Sequence, residues 1–148
     1  MSRLFVIGIS HRTAPLEIRE AMVDAHANVK AQEAKSSGER GALRLQRAAA
    51  LCGEAMMLST CNRVELYGAL PQTAEAPELL SRVEELFVQP LPQARKHIYR
   101  LEGEPALSHL FRVASSLDSM VVGEPQILGQ VKAAYREAKS AGTVGQVL

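Results

Sequence analysis

Short apolar runs separated by polar turns predict four strands in the first hundred residues. Residues 4–9 form an apolar run with β-branched side chains, which is typical of a buried strand, and residues 55–59 form a second apolar run. Between Arg63 and Gly68 apolar residues alternate with polar ones, so we expect a third strand that is half exposed. Residues 97–101 predict the fourth strand.

Helical patterns fill the intervals between these strands. Residues 16–51 are rich in Ala, Glu and Lys, and a Ser- and Gly-containing stretch at residues 36–41 divides them into two predicted helices around a loop. Pro77 begins another helix between the third and fourth strands. The order βαββαβ predicts a ferredoxin-like α+β fold, an antiparallel sheet with helices on one face.

Two further helices are predicted after the sheet. The first extends from Glu104 to about residue 120, and Asp118 interrupts its apolar pattern, so we expect Asp118 to be a cap or a partnered group. Its predicted buried face contains Leu107, Leu110, Phe111, Ala114, Leu117 and Val121, and its polar face contains His109, Arg112, Ser116 and Ser119. The second helix opens at Pro125 and ends at Gly142. Its predicted apolar stripe consists of Ile127, Leu128, Val131, Ala134, Tyr135 and Ala138.

Composition narrows the class of protein without deciding its function. The chain has 148 residues, 47% hydrophobic and 22% charged, which fits one domain with its own core. Its net charge of +1 means that any contact with nucleic acid must be local. Two cysteines make no disulfide framework, and no apolar run is long enough for a signal peptide or a membrane span, so we expect a cytoplasmic protein.

A lone thiol occupies the predicted turn between the second and third strands. A turn leaves Cys61 accessible, and the neighbouring Arg63 favours a thiolate, which is the form that a nucleophile needs. A cysteine beside a strand also fits a small hydrophobic packing role, so the residues alone leave both interpretations open. Cys52 is interpreted as packing. His109 is a second candidate, although an exposed helical histidine is ordinarily only solvated.

Several kinds of site lack support in the sequence. The chain has no metal-ligand spacing, no G-x-G-x-x-G and no G-x-x-x-x-G-K-[ST], so a redox cofactor would need another domain. The ferredoxin-like order is also compatible with RNA recognition. Sheets of that kind stack bases on aromatic side chains, however, and only 4% of this chain is aromatic.

Three segments of the chain resemble glutamyl-tRNA reductase. The first is GISH at residues 8–11 with Ala14-Pro15 and Arg19-Glu20, the second is STCNRVELY at residues 59–67, and the third combines HLFRVASSLDS at residues 109–119 with GEPQILGQVK at residues 123–132. Residues 24–53 match no motif of that family, and Ser116 stands where the family commonly has glycine. The resemblance implies that residues 1–148 form the N-terminal catalytic domain, with the NADPH-binding and dimerisation domains absent from this chain.

The resemblance also implies a chemistry for these residues. Glutamyl-tRNA reductase is an oxidoreductase that converts the glutamyl group of glutamyl-tRNA to glutamate-1-semialdehyde with NADPH, in tetrapyrrole and haem biosynthesis. The family's nucleophile falls on Cys61, which would form a thioester, and its functionally important histidine falls on His109. The substrate-binding positions of the family motifs fall on Thr60, Asn62, Arg63, Ser119, Glu124, Pro125, Gln126 and Gln130.

The same resemblance implies partners. The substrate would be glutamyl-tRNA(Glu), the full-length enzyme would be a homodimer, and the aldehyde would pass to glutamate-1-semialdehyde aminomutase, with no membrane partner. Two other functions stay open on the residues alone. One is a thiol esterase for small activated esters, which would not depend on tRNA. The other is a non-catalytic RNA-binding or regulatory module, which would not need Cys61.

Overall fold

The computed structural model describes residues 2–27, 37–118 and 126–148. Its elements in chain order are β1 (Ser2–Ser10), α1 (Leu16–Ala27), α2 (Ser37–Cys52), β2 (Glu54–Ser59), β3 (Arg63–Pro71), α3 (Ala76–Val88), a 3₁₀ helix (Pro92–His97), β4 (Tyr99–Glu102), α4 (Glu104–Ala114) and α5 (Gln126–Ser140). The four strands form one antiparallel sheet in the order β2-β3-β1-β4. This arrangement confirms the predicted α+β class and the ferredoxin-like order.

Helices cover both faces of this sheet. Helices α1 to α3 pack on the face to which Leu66 points, where His26 of α1 also contacts Phe87 of α3. Helix α4 packs against β1 and β4 on the opposite face, and α5 lies alongside the edge strand β2, in contact with α2 and α4. The two helices that follow the βαββαβ unit therefore complete the burial of the sheet.

Three predicted boundaries differ from the structure. Strand β4 begins at Tyr99, because His97 closes the 3₁₀ helix. The sequence predicts a loop at residues 36–41. This prediction is wrong for residues 37–41, which form the first turns of α2, and residue 36 lies outside the described residues. Helix α4 ends at Ala114 instead of near residue 120, because Ser116 adopts a left-handed conformation with φ of 62°. The N–H of Leu117 then bonds the carbonyl of Arg112, which closes the helix end.

The expectation that β3 is half exposed is wrong. Every residue of β3 before Pro71 is buried. Val64 and Leu66 point towards helices α1 to α3, as the apolar pattern predicts. Arg63 and Glu65 point to the other face, which α4 covers, so charges that alternation assigned to solvent lie inside the protein.

Helix α4 also buries a face other than the predicted one. Ala106 and Val113 are buried, whereas Phe111 is 62% exposed and Leu107 is also exposed. His109 shares the buried face because residues three and four apart lie on one side of a helix, and it reaches Glu65 of the sheet. Two features explain why the buried face differs from the predicted one. Helix α4 ends before Leu117, and the sheet presents a polar partner, Glu65, to His109. Val121 of the predicted face lies outside the described residues.

In α5 the predicted apolar stripe is partly confirmed. Ile127, Ala134 and Ala138 are buried, whereas Leu128 and Tyr135 are exposed. Gly142 follows the helix with a positive φ of 75°, as its predicted role in ending the helix requires. None of the helices in the described ranges is both long enough and apolar enough to cross a membrane.

Candidate active site around Cys61

The turn between β2 and β3 holds Cys61 in a defined position. The N–H of Thr60 donates to the carbonyl of Arg63 at 2.8 Å, which closes the hairpin. The hydroxyl Oγ1 of Thr60 accepts hydrogen bonds from the N–H groups of Asn62 at 3.1 Å and Arg63 at 3.2 Å. Thr60 therefore satisfies the backbone of the turn with its own side chain. The side chain of Cys61, at the tip, stays exposed.

The loop and helix that follow β1 brace this turn from one side. The backbone N–H of His11 donates to the carbonyl of Asn62 at 2.8 Å. The buried guanidinium of Arg19 donates from Nη1 to the carbonyl of Cys61 at 3.1 Å and to Oδ1 of Asn62 at 3.4 Å. Two of the sequence segments that carry the family resemblance thus meet at Cys61.

Cys61 lines an open cleft of about 480 Å³ next to helix α1. Glu20 and Asp24 contribute two exposed carboxylates from successive turns of that helix, and Val23 supplies an apolar wall between them. Ser59 and Thr60 complete the lining on the side of β2. The thiol is therefore accessible to a ligand, and the cleft around it carries negative charge.

The second cysteine has the environment of a packing residue, as predicted. Cys52 is buried at the end of α2, and its thiol donates to the carbonyls of Ala48 and Glu54, both at 3.1 Å. Burial raises the pKa of Cys52 to about 11, so the thiol stays protonated at neutral pH. The two cysteines are not bonded to each other.

A fully buried carboxylate organises the opposite face of the hairpin. Glu65 accepts hydrogen bonds from the hydroxyls of Tyr67 at 3.1 Å and Tyr99 at 2.5 Å, from Nη1 of Arg63 at 3.4 Å and from Nε2 of His109. Burial disfavours the ionised form, but the hydrogen bond from His109 and the charges of His109 and Arg63 outweigh it. The pKa of Glu65 therefore lies below its ordinary value.

The guanidinium of Arg63 joins this network to Asp118. Arg63 is only 1% exposed, and its Nη2 donates to Oδ2 of Asp118 at 3.1 Å and to the backbone carbonyl of the same residue. Oδ1 of Asp118 pairs in turn with Arg12 at 3.2 Å. Asp118 is thus the partnered group that its position in the sequence predicts. The sequence predicts that Arg63 lies beside the thiol and favours the thiolate. In the structure its guanidinium instead bonds Glu65 and Asp118.

The predicted site residues fall into separate places. Thr60, Asn62 and Arg63 belong to the Cys61 turn, while His109 does not line the Cys61 cleft and instead contacts Glu65 on the other face of the sheet. Gln130 lines a second cavity, which shares Val23 and Ser59 with the cleft. Gln126 is exposed at the start of α5. Three of the predicted site residues lie outside the described part of the chain: Ser119, Glu124 and Pro125.

Comparison with known proteins identifies the family. The family model described as glutamyl-tRNAGlu reductase, N-terminal domain, matches residues 7–148. The chain belongs to this family. It is 46% identical over 144 residues to glutamyl-tRNA reductase of Syntrophotalea carbinolica, covering 97% of this chain and 30% of that protein. It is 40% identical over 149 residues to glutamyl-tRNA reductase of Aquifex aeolicus, covering 100% of this chain and 34% of that protein.

A solved structure agrees with the sequence comparison. The glutamyl-tRNA reductase of Methanopyrus kandleri superposes with a TM-score of 0.67 at 32% identity, over 97% of this chain and 30% of that one. The chain therefore spans about a third of the length of the glutamyl-tRNA reductases that it matches.

Among the described residues, no group of three or more His, Cys, Asp or Glu side chains is placed to hold a metal ion.

The sequence alone did not identify several residues that shape this glutamyl-tRNA reductase domain. Glu20 is part of a family segment, and the spacing of four to Asp24 places both carboxylates on one helix face, which was a usable signal. Glu65 also lies in a family segment, but no spacing in the sequence reveals its contact with Tyr99, because that contact depends on the pairing of β1 with β3 and β4.

Proposed function

We propose that this domain recognises the glutamyl end of glutamyl-tRNA and uses Cys61 as the nucleophile. The observation that carries the proposal is the contrast between the two thiols. Cys61 is exposed in a cleft, on a turn fixed by Thr60 and Arg19, whereas Cys52 is buried. Membership in the glutamyl-tRNA reductase family supports the choice of substrate.

The reaction on this domain is an acyl transfer without a change of oxidation state. The thiolate of Cys61 attacks the carbonyl carbon of the aminoacyl ester, and a carbon–sulfur bond forms. The carbon–oxygen bond to the terminal ribose then breaks, and the ribose oxygen leaves as a hydroxyl after it takes up a proton. The products are a glutamyl thioester on Cys61 and free tRNA.

Charged residues on the two sides of the Cys61 turn fit the two ends of a glutamyl group: carboxylates line the cleft, and the Arg63 guanidinium lies on the opposite face of the hairpin. Glu20 and Asp24 provide negative charge for its ammonium, since they line the cleft with the thiol. We propose that Arg63, a residue of the family motif, binds the side-chain carboxylate of the glutamyl group. Because Asp118 now occupies the guanidinium, the substrate carboxylate would bind Arg63 by displacing Asp118. The other proposed substrate contacts are Thr60, Asn62, Ser119, Glu124, Pro125, Gln126 and Gln130.

His109 is proposed to act on protons at the leaving ribose oxygen or to orient the ester. Glu65 fixes its Nε2, which leaves Nδ1 as the other exchangeable ring position. Tyr99 packs against the ring with the centroids 5.5 Å apart, so the imidazole is held from two sides. Since His109 lies outside the Cys61 cleft, it would act with substrate bound across the turn.

NADPH does not fit the part of the chain that the structure describes. The sheet is antiparallel, and the sequence has no glycine-rich dinucleotide turn. NADPH supplies the hydride that converts a thioester to an aldehyde, and we assign that step to the remainder of the full-length enzyme. Release of glutamate-1-semialdehyde to its aminomutase, homodimer formation and the role in tetrapyrrole biosynthesis are likewise proposed for the full-length protein.

Intact-protein mass spectrometry after brief mixing with glutamyl-tRNA and an acid quench tests the nucleophile. We expect a glutamyl adduct on the parent chain and on the Cys52→Ser control, and none on Cys61→Ser. Circular dichroism of both variants verifies that each is folded. An adduct that persists in Cys61→Ser would overturn the assignment. Acylation by small esters at the same rate as by glutamyl-tRNA would instead indicate a thiol esterase.

A further inference from the structure

A groove with a volume of about 630 Å³ lies between α4 and α5. Leu4 of β1 and Met56 of β2 form its floor, and both side chains are buried. This α4–α5 groove is on the same face of the sheet as His109 and Glu65, whereas the Cys61 cleft opens beside α1. An exposed apolar patch of this kind ordinarily marks a surface that contacts another molecule.

Two aromatic side chains lie in the walls of the α4–α5 groove. Phe111 of α4 is 62% exposed and Tyr135 of α5 is 38% exposed, and both line the groove. The chain has 3 Phe and 3 Tyr residues, and the other four aromatic side chains are buried or half-buried. The low aromatic content of the sequence therefore does not exclude base stacking, because the exposed aromatic residues are concentrated at one site.

Three cations of α5 lie along the same groove. Lys132, Arg136 and Lys139 all line it, and their spacing places them on one side of the helix over about 10 Å of its length. All three are exposed, and none forms an ion pair with another described residue. Among the described residues, no carboxylate side chain lines the groove. The α4–α5 groove is therefore locally positive, although the net charge of the whole chain is only +1.

We propose that the α4–α5 groove binds single-stranded RNA, with bases stacked on Phe111 and Tyr135 and phosphates on the α5 cations. Proteins that hold a single strand combine a basic groove, which follows the phosphates, with aromatic side chains, on which the bases stack. A groove that was only apolar would fit a protein helix equally well. The combination of exposed aromatic residues with cations is what selects RNA, and it favours a single strand because a duplex already stacks its bases on one another.

The identity of the RNA rests on the proposed function, since a tRNA ends in an unpaired 3′ strand that carries the aminoacyl group. Cys61 follows Met56 by five positions, which is about 17 Å of extended chain. Between the groove and the turn, α4 presents His109 on the same face of the sheet. The α4–α5 groove would thus hold the nucleotides that precede the terminal ribose.

Fluorescence anisotropy of a labelled, short single-stranded RNA ending in CCA tests the proposal. The RNA carries no aminoacyl ester, so binding is measured without the chemistry of Cys61. We expect saturable binding to the 148-residue chain, and we expect Phe111→Ala and Tyr135→Ala each to weaken it by about fivefold or more, the effect of losing one stacked base. Leu128→Ala, at an exposed position of α5 outside the groove, is the matched control and should bind as the parent does.

The salt dependence of the same binding tests the cations. For a single strand, the logarithm of the affinity falls against the logarithm of the salt concentration with a slope of about −0.7 for each phosphate neutralised. Lys132→Gln and Lys139→Gln should each weaken binding at low salt and make the slope shallower by about 0.7. Lys96→Gln removes the same charge at an exposed position of the 3₁₀ helix, outside the groove, and should leave the slope unchanged.

Three results would contradict the proposal, provided that circular dichroism shows each variant to be folded. One is binding that does not saturate, and another is equal affinity for the single strand and for the same RNA in a duplex. The third is an unchanged salt slope in both lysine variants, which would indicate an apolar contact of the kind that a protein partner makes.

Acylation by glutamyl-tRNA separates this proposal from the proposed function. At limiting tRNA concentration, Phe111→Ala should form the glutamyl adduct on Cys61 at least about fivefold more slowly than the parent. An adduct that forms at the parent rate would contradict the groove and leave the nucleophile standing. RNA that binds the α4–α5 groove of a chain that never forms an adduct would contradict the nucleophile alone.

Discussion

Glu65 has no exposed surface, and four side chains donate hydrogen bonds to it, among them Arg63 and His109. Substitution by glutamine preserves its size but removes the charge that balances Arg63 inside the protein. We expect Glu65→Gln to lower the free energy of unfolding by about 3–5 kcal/mol, the usual cost of removing one partner from a buried ion pair. Urea denaturation at neutral pH, followed by circular dichroism, measures this loss.

The matched control for Glu65 is a glutamate in a surface ion pair. Glu102 bonds Arg3 at 2.9 Å, and both side chains are partly exposed. Glu102→Gln should change the free energy of unfolding by no more than about 1 kcal/mol, because solvent screens exposed pairs. Equal losses in Glu65→Gln and Glu102→Gln would contradict a structural role for the buried network.

At the scale of elements, two glycines predict opposite effects of the same substitution. In β1, a Cβ on Gly8 would lie 2.7 Å from Cγ of Glu65 and 2.8 Å from the carbonyl oxygen of Val64. Gly8→Ala should destabilise the protein by about 1–3 kcal/mol, because the pairing of β1 with β3 has no room for a methyl group. Thermal unfolding monitored by circular dichroism gives the shift in Tm.

Gly129 of α5 provides the comparison for Gly8. No described atom lies within 4 Å of the position that its Cβ would occupy. Gly129→Ala should therefore stabilise the protein by up to about 1 kcal/mol, since alanine has the higher helix propensity. If both substitutions raise Tm, close approach of β1 and β3 is not what requires glycine at position 8.

Elements were predictable from the sequence where one local pattern decides them. The run at residues 4–9 and the turn at Cys61 follow from local patterns alone, and both are confirmed. The burial of Glu65 was not predictable, because it depends on α4, which lies about forty residues farther along the chain. The Cys61 turn was found from its motif, but the α4–α5 groove was not found. The apolar pattern placed Phe111 on the buried face of α4, and its exposure depends on how α4 packs on the sheet.

At the scale of the whole molecule, both faces of the sheet contain buried ionisable groups. Glu65 is buried as an anion with its partners on the α4 face, whereas His26 is buried as a neutral ring on the face of α1 to α3. The first arrangement holds charges that compensate each other. The second keeps a titratable group uncharged, so it makes the stability of the folded chain depend on pH near neutrality.

His26 should make the protein less stable as the pH falls below about 6.5. In the unfolded chain its pKa is the ordinary 6.5, whereas burial lowers the folded-state pKa to about 3. Between these values the unfolded state binds one more proton, so the free energy of unfolding falls by about 1.4 kcal/mol for each pH unit. The contribution of neutral His26 is complete above pH 6.5.

Substitution of His26 by glutamine isolates this effect, because the other groups that titrate are the same in both proteins. Urea denaturation of the parent and of His26→Gln at pH 7, 6 and 5 gives two curves of stability against pH. We expect the parent to lose about 2 kcal/mol more than the variant over this range, as the shift of the His26 pKa requires. Parallel curves would show that His26 takes up a proton equally well in the folded and unfolded chain, and hence that it is not held neutral between α1 and α3.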